Sequence, residues 1–352
     1  MLYWFYQTFD INILQYITIR AGVSFFLGLL FTLFFMPRFI KWAQNSSRVQ
    51  PISEYVATHQ SKAKTPTMGG VVFIASTIFA SLLTANITNY FVIGGLLTLL
   101  FYAYIGFSDD WGKIRGSHNL AGLKARTKLA LQILFGLAIG IFLIKVAKLE
   151  TGFYLPFFKN SLFDMGIYAV GFWVLVMIAT SNAVNLTDGL DGLATVPSIF
   201  ALFSLSAIVY IVGHAAFANY LLMPKIPAGE VVVISTALMG SLLGFLWFNC
   251  HPAQVFMGDS GSLTIGAFIA YLAIISKSEI LLILIGLIFV IETVSVILQV
   301  GSYKIRKKRV FLMAPIHHHF EMKQWAENKI IVRFWIISLL SNILALITLK
   351  IR

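Results

Sequence analysis

An apolar run long enough to cross a bilayer recurs ten times along this 352-residue chain, near 21–40, 69–86, 90–107, 129–147, 165–182, 193–213, 230–248, 261–276, 279–301 and 330–349. About 20 such residues span the hydrocarbon core as a helix. With no water there to satisfy the backbone, only helices or closed barrels are viable. The expected fold is therefore an all-α polytopic membrane protein of about ten transmembrane helices. Composition agrees, with 59% hydrophobic and 11% charged residues. A water-soluble domain carries about a quarter charged residues. Breaks at Pro51, Pro66, Pro156, Pro227 and Pro252 separate the runs. No internal repeat or low-complexity linker is visible, so one membrane domain over 1–352 is expected. Met1 to Asp10 lacks the basic region of a signal peptide, and the lone Cys250 excludes an internal disulfide.

The net charge of +12 reads as topology. Lys and Arg number four, five and seven in the first, third and ninth connections, sixteen together, against Lys148, Lys159, Lys225 and Lys277 in the even-numbered ones. The positive-inside rule then places the odd connections in the cytoplasm and both termini outside. No zinc-finger, RNP or helix-turn-helix pattern supports nucleic-acid binding; anionic lipid and phosphate substrates fit the surplus charge. The fifth and seventh connections carry no Lys or Arg, yet hold Asp188, Asp191 and Asp259. The topology rule does not put carboxylates there.

Four motifs carry candidate chemistry. Asp109-Asp110 ends the third run, and neighbouring carboxylates at a membrane boundary repel unless a cation joins them; a solvated helix end is the plain alternative. In N-A-V-N-L-T-D-G-L-D-G-L, residues 182–193, Asn185, Asp188 and Asp191 fall at i, i+3, i+6 and would share a helix face. In F-M-G-D-S-G-S, residues 256–262, Gly258 and Gly261 flank Asp259-Ser260 ahead of a helix. That loop suits an anion held through a metal, or a simple N-cap. Asn249 and Phe256 lie upstream to bind or stack on a planar ring. A-P-I-H-H-H-F-E, residues 314–321, sets His317, His318 and His319 in a row, better suited to phosphate contact than to one shared zinc. The run Lys304 to Arg309 reads as topology and lipid-surface charge. Glu292 lies inside the ninth run, with Thr293 or Ser295 as structural partners; His118, His214 and His251 are single and receive no role.

Together, T-P-T-M-G-G at 65–70, D-D at 109–110, N-L-T-D-G-L-D-G-L at 185–193, V-F-M-G-D-S-G-S at 255–262 and A-P-I-H-H-H-F-E at 314–321 resemble the phospho-N-acetylmuramoyl-pentapeptide transferase family of the polyprenyl-phosphate N-acetylhexosamine-1-phosphate transferases. The resemblance covers nearly the whole chain. It implies a ten-span fold with a cytoplasmic cleft, commonly a homodimer. It implies transfer of phospho-MurNAc-pentapeptide from UDP-MurNAc-pentapeptide to undecaprenyl phosphate in the inner membrane, giving lipid I and UMP with Mg2+. By the same resemblance Asp259 is the magnesium ligand, and Asp109 and Asp110 are catalytic carboxylates. Asn185, Asp188, Asp191, Asn249 and Phe256 line the nucleotide and sugar site, and Lys62, Thr67, Lys113, Lys128 and His317 to His319 are polar positions of the cleft. Lys64 departs from the family, which has Gly before T-P-T-M-G-G. A relative using another donor sugar, and a transporter, are the alternatives. A transporter places polar groups near the midplane and often shows inverted repeats, whereas the acidic motifs here lie at run ends.

Overall fold

The computed structural model describes residues 1–45, 65–116 and 122–351; Lys62, Lys64 and His118 lie outside them. Fourteen α-helices follow in order among the described residues: α1 (Leu2–Phe9), α2 (Ile17–Asn45), α3 (Gly69–Thr84), α4 (Tyr90–Gly116), α5 (Ala125–Lys145), α6 (Tyr168–Thr187), α7 (Thr195–Gly213), α8 (Ala215–Tyr220), α9 (Val232–Asn249), α10 (Asp259–Ile275), α11 (Leu282–Ile285), α12 (Leu287–Arg306), α13 (Ile316–Met322) and α14 (Glu327–Thr348). The β structure described is one antiparallel pair, β1 (Gly152–Phe153) with β2 (Phe163–Asp164). The protein is an all-α polytopic membrane protein. Eight helical segments are long and apolar enough to cross a bilayer, and α3 and α10 are shorter apolar helices of 16 and 17 residues. Each expected run coincides with one of these ten.

α10 is the axis of the bundle. Every residue from Ser260 to Ile275 is buried, as a helix apolar on all sides requires. It packs on α4 and α6, while α2 packs on α9 and α3. The outer helices turn Phe26, Leu30, Leu134, Ile141, Ile297 and Leu344 outward; in water these would be aggregation surfaces, and in a membrane they face lipid.

Three expectations about element ends are corrected. α4 runs past the expected end near 107 to Gly116, so Asp109 and Asp110 sit within its last turns, with Lys113 and Arg115 complementing the helix dipole. α6 stops at Thr187, so Asn185, Asp188 and Asp191 do not share a helix face; Gly189 and Gly192, the latter at φ +73°, favour a turn over a helix. The ninth run is split at Gly286 into α11 and α12, which extends past the expected end to Arg306.

At the end of the bundle away from the aspartates, Arg20 of α2 makes a buried ion pair with both oxygens of Glu230, and Glu230 also accepts the Asn86 N–H at 2.7 Å. Removing one member strands a buried charge. Glu230→Ala is expected to lower stability by about 3–5 kcal/mol, read as the thermal midpoint of the purified protein. An unchanged midpoint would show the pair to be marginal.

Candidate active site

The site begins with the start of α10. The first N–H groups of a helix have no intrahelical partner. Here Asp110 satisfies two of them: its Oδ1 accepts the Asp259 N–H at 3.0 Å and its Oδ2 the Ser260 N–H at 2.9 Å. Gly258, at φ +75°, makes the turn that brings this end against the Asp110 carboxylate. Asp110 therefore spends both oxygens on backbone and sets the position of Asp259.

Asp259 projects from that fixed end. Its Oδ1 accepts from Asn185 Nδ2 at 2.9 Å, and its Oδ2 faces Lys128 Nζ at 2.5 Å and Lys113 Nζ at 3.2 Å. Asn185 also donates to Ser262 Oγ at 2.8 Å, a partner that the sequence motifs did not single out. Asp109 Oδ1 accepts the Leu123 N–H at 2.8 Å, which ties the segment entering α5 to α4. Asp109 Oδ2 lies 2.6 Å from Lys113 Nζ yet takes no well-aligned hydrogen bond from it. One oxygen from each of Asp109, Asp110 and Asp259 falls within 4.8 Å of the others.

Asp188, just past α6, belongs to the same group electrostatically. Burial pushes its carboxyl well above the usual carboxylate range, and the charges of Asp259, Asp110 and Asp191 push it further. Asp109, Asp110 and Asp259 set three carboxylates against Lys113 and Lys128, and a cation held among their oxygens would offset the remaining negative charge. The donors are all hard carboxylate oxygens, which suit Mg2+ or Mn2+ better than ions preferring thiolate or imidazole. Asp259 and Asp109 Oδ2, which face side chains rather than backbone donors, could hold it.

The loops around the cluster are laced together. Phe256 N–H donates to Pro66 O at 2.8 Å, and Gly69 and Gly70 donate to Phe256 O and Met257 O at 2.9 Å each. T-P-T-M-G-G thus runs beside V-F-M-G-D-S-G-S. Thr67 is buried there, its hydroxyl without a partner among the described residues. Asn249 is buried with its amide committed: it accepts from Gly192 N–H at 3.0 Å and Thr195 Oγ1 at 3.2 Å, and donates to Val255 O at 2.9 Å. It joins the second motif to the third.

Asp191 turns away from the triad of aspartates. Its Oδ2 accepts the Ala253 N–H at 3.1 Å and lies 3.1 Å from His251 Nδ1, which is 3.5 Å from Glu327. Neither His251 nor Glu327 carried a signal in the sequence. The three neighbouring histidines diverge: His317 is buried, His318 Nδ1 meets Glu321 at 2.5 Å, and His319 Nδ1 accepts the Leu312 N–H at 3.1 Å.

An apolar helical bundle that gathers carboxylates, two lysines and a histidine-bearing helix at one end is a membrane enzyme arranged for phosphoryl-group chemistry. The family model for glycosyl transferase family 4 matches residues 92–277, and signature 1 of the phospho-N-acetylmuramoyl-pentapeptide-transferases matches residues 62–74. Proteins of that name from Sulfurimonas denitrificans, Nitratiruptor sp. and Campylobacter hominis are 69%, 62% and 60% identical to this chain, each alignment covering all of both chains. The chain belongs to the phospho-N-acetylmuramoyl-pentapeptide-transferase family, within glycosyl transferase family 4.

Two adjacent substitutions are expected to shift stability in opposite directions. Asp110→Asn keeps one acceptor but points an amide N–H at a helix N–H, costing about 1–3 kcal/mol. Asp188 has a folded pKa above its unfolded one, so its ionisation opposes folding. That cost is complete above the raised pKa and absent below the ordinary carboxylate pKa of about 4. Asp188→Asn should therefore raise the thermal midpoint of metal-free protein at neutral and higher pH. The gain should vanish as pH falls towards about 4. It should shrink when magnesium is added. A gain independent of pH would refute the electrostatic reading.

Proposed function

We propose that this protein transfers phospho-N-acetylmuramoyl-pentapeptide from its UDP carrier to undecaprenyl phosphate, releasing UMP, from the cytoplasmic face of the inner membrane. The observation that carries the reading is the convergence of Asp109, Asp259, Lys113, Lys128 and Asn185 on one end of the bundle. Full-length relatives of 60–69% identity that bear the name of this transferase support the same reading. The Lys and Arg bias of the connections supports the cytoplasmic placement.

An oxygen of the lipid phosphate attacks the phosphorus attached to the sugar. The bond between the two donor phosphates breaks, and UMP leaves with the electron pair. The acceptor phosphate has a second pKa of about 6 and is mostly dianionic near neutral pH, so it needs little help from a base. Phosphoryl transfer of this kind depends on positioning and on neutralising charge. Lys113 and Lys128 supply fixed positive charge beside the place where the pyrophosphate would sit. Asn185 holds Asp259 in line, and Asp110 anchors it through the backbone. A bound Mg2+, held by Asp259 and Asp109, would neutralise phosphate charge and polarise the leaving bond.

The acceptor also needs a path for its chain. An open groove of about 310 Å3 runs between α6 and the α11–α12 pair, lined by Phe172, Val176, Ala183, Ile283, Val290 and Val294. Ala183 stands two residues before Asn185, so the groove reaches from the lipid-facing flank of the bundle towards the carboxylate cluster. Its lining is complementary to an isoprenoid.

UMP release from UDP-MurNAc-pentapeptide with undecaprenyl phosphate should require magnesium and fall with other donor sugars. Asp259→Asn should reduce it by on the order of 10³-fold or more while leaving a folded protein. Wild-type turnover in that variant would remove Asp259 from the metal site.

A further inference from the structure

Glu292 sits in the second turn of α12 with no exposed surface, and neither carboxylate oxygen receives a hydrogen bond from the described residues. The hydroxyls expected to satisfy it do not: Ser295 donates to the backbone carbonyl of Glu292 at 2.6 Å and Thr293 to that of Phe289 at 2.9 Å. The group that faces it is His317 of α13, itself 1% exposed, with Nδ1 3.1 Å from Glu292 Oε1, close but not aligned as a hydrogen bond. A lone carboxylate inside a span is expensive, and an apolar residue there would cost less. Packing does not account for it.

What the imidazole touches on its far side gives the reason. His317 Nε2 lies where a side chain at Gly189 would project, so that a Cβ on Gly189 would collide with the ring. Gly189 adjoins Asp188, whose charge is felt at the Asp259 and Asp110 cluster. Directing His317 inward also sets the phase of the seven-residue α13 and so the aim of His318 and His319; the His318 ring is 4.1 Å from the His317 ring, centroid to centroid. Beneath them Leu190, Ile288, Ile316 and Phe334 form a separate apolar cluster that joins the same elements.

We propose that Glu292 is a positioning residue for the transfer reaction. It fixes the His317 imidazole against Gly189 and thereby holds α13 on the turn carrying Asp188 and Asp191. This rests on the transferase reading above.

The test is a double-variant cycle on the full-length protein in detergent or nanodiscs, with Glu292→Gln, His317→Asn, the pair together and, separately, Gly189→Ala. UMP release and the thermal midpoint are measured for each. Glu292→Gln should lower kcat by about 10–100-fold, the range seen when a supporting partner of an active-site histidine is lost, with KM for the donor nearly unchanged and the midpoint held or raised. Glu292→Gln added to His317→Asn should cost nothing more, because both remove one unit. Gly189→Ala should reproduce the kcat loss without the Glu292 change, which keeps the test open if Glu292→Gln does not fold. Multiplying losses in the double variant, or a lower midpoint with normal kcat, would overturn the proposal. Wild-type protein that releases no UMP would sink the transferase reading and this inference with it, whereas a failed cycle on active wild-type protein sinks the inference alone.

Discussion

The site hangs on the two hydrogen bonds by which Asp110 closes the start of α10. A helix that begins inside a bundle leaves N–H groups that nothing in lipid can satisfy. A carboxylate from α4 takes two of them and joins the two helices at that point. The bond is structural in form and functional in effect, since it fixes the backbone from which Asp259 projects. Asp109, one residue earlier on α4, faces a different direction and keeps one oxygen without an aligned donor. Adjacent identical residues thus differ in their commitments: Asp110 builds the platform, while Asp109 keeps an oxygen facing Lys113.

Charge balance explains the company these aspartates keep. Carboxylates gathered at a membrane boundary repel one another and are poorly solvated. Lys113 and Lys128 relieve part of that repulsion and Asn185 solvates the outer oxygen of Asp259. Burial first, and then the neighbouring aspartates, still hold the Asp188 carboxyl well above the usual carboxylate range. A site left somewhat too negative by its own residues is prepared for a cation, and with the cation for a polyanionic substrate. The same excess would repel a bare diphosphate, so donor binding and metal binding are expected to be one coupled event.

Much of this was legible in the sequence because lipid imposes strict rules. Apolar runs of fixed length marked every long helix, and carboxylates standing outside the positive-inside pattern marked the site. What stayed hidden was fixed by contacts between elements far apart in the chain. Nothing local to Asp110 says that both its oxygens belong to residues 259 and 260. The i, i+3, i+6 spacing of Asn185, Asp188 and Asp191 read as one helix face, but the helix stops at Thr187, and Asn185 and Asp191 go to separate partners. His251 and Glu327 stand alone in their segments and acquire meaning only beside Asp191. The histidine run looked like one cluster, yet consecutive residues on a helix point about 100° apart, so His317, His318 and His319 meet three different surroundings.

α12 shows how a single helix links lipid to chemistry. Val290, Thr293 and Val294 line the apolar groove, while Glu292 faces His317 on the other side. The helix starts afresh at Gly286, and its two faces meet different surroundings. An isoprenoid chain in the groove would press on one face, and the buried Glu292–His317 pair would resist on the other. Rotating α12 to widen the groove would pull the carboxylate off the imidazole and loosen the turn that bears Asp188. On the proposed reading, acceptor seating and the geometry of the aspartate site would be tied through one helix, whereas a helix with a purely apolar inner face could slide without the site registering it.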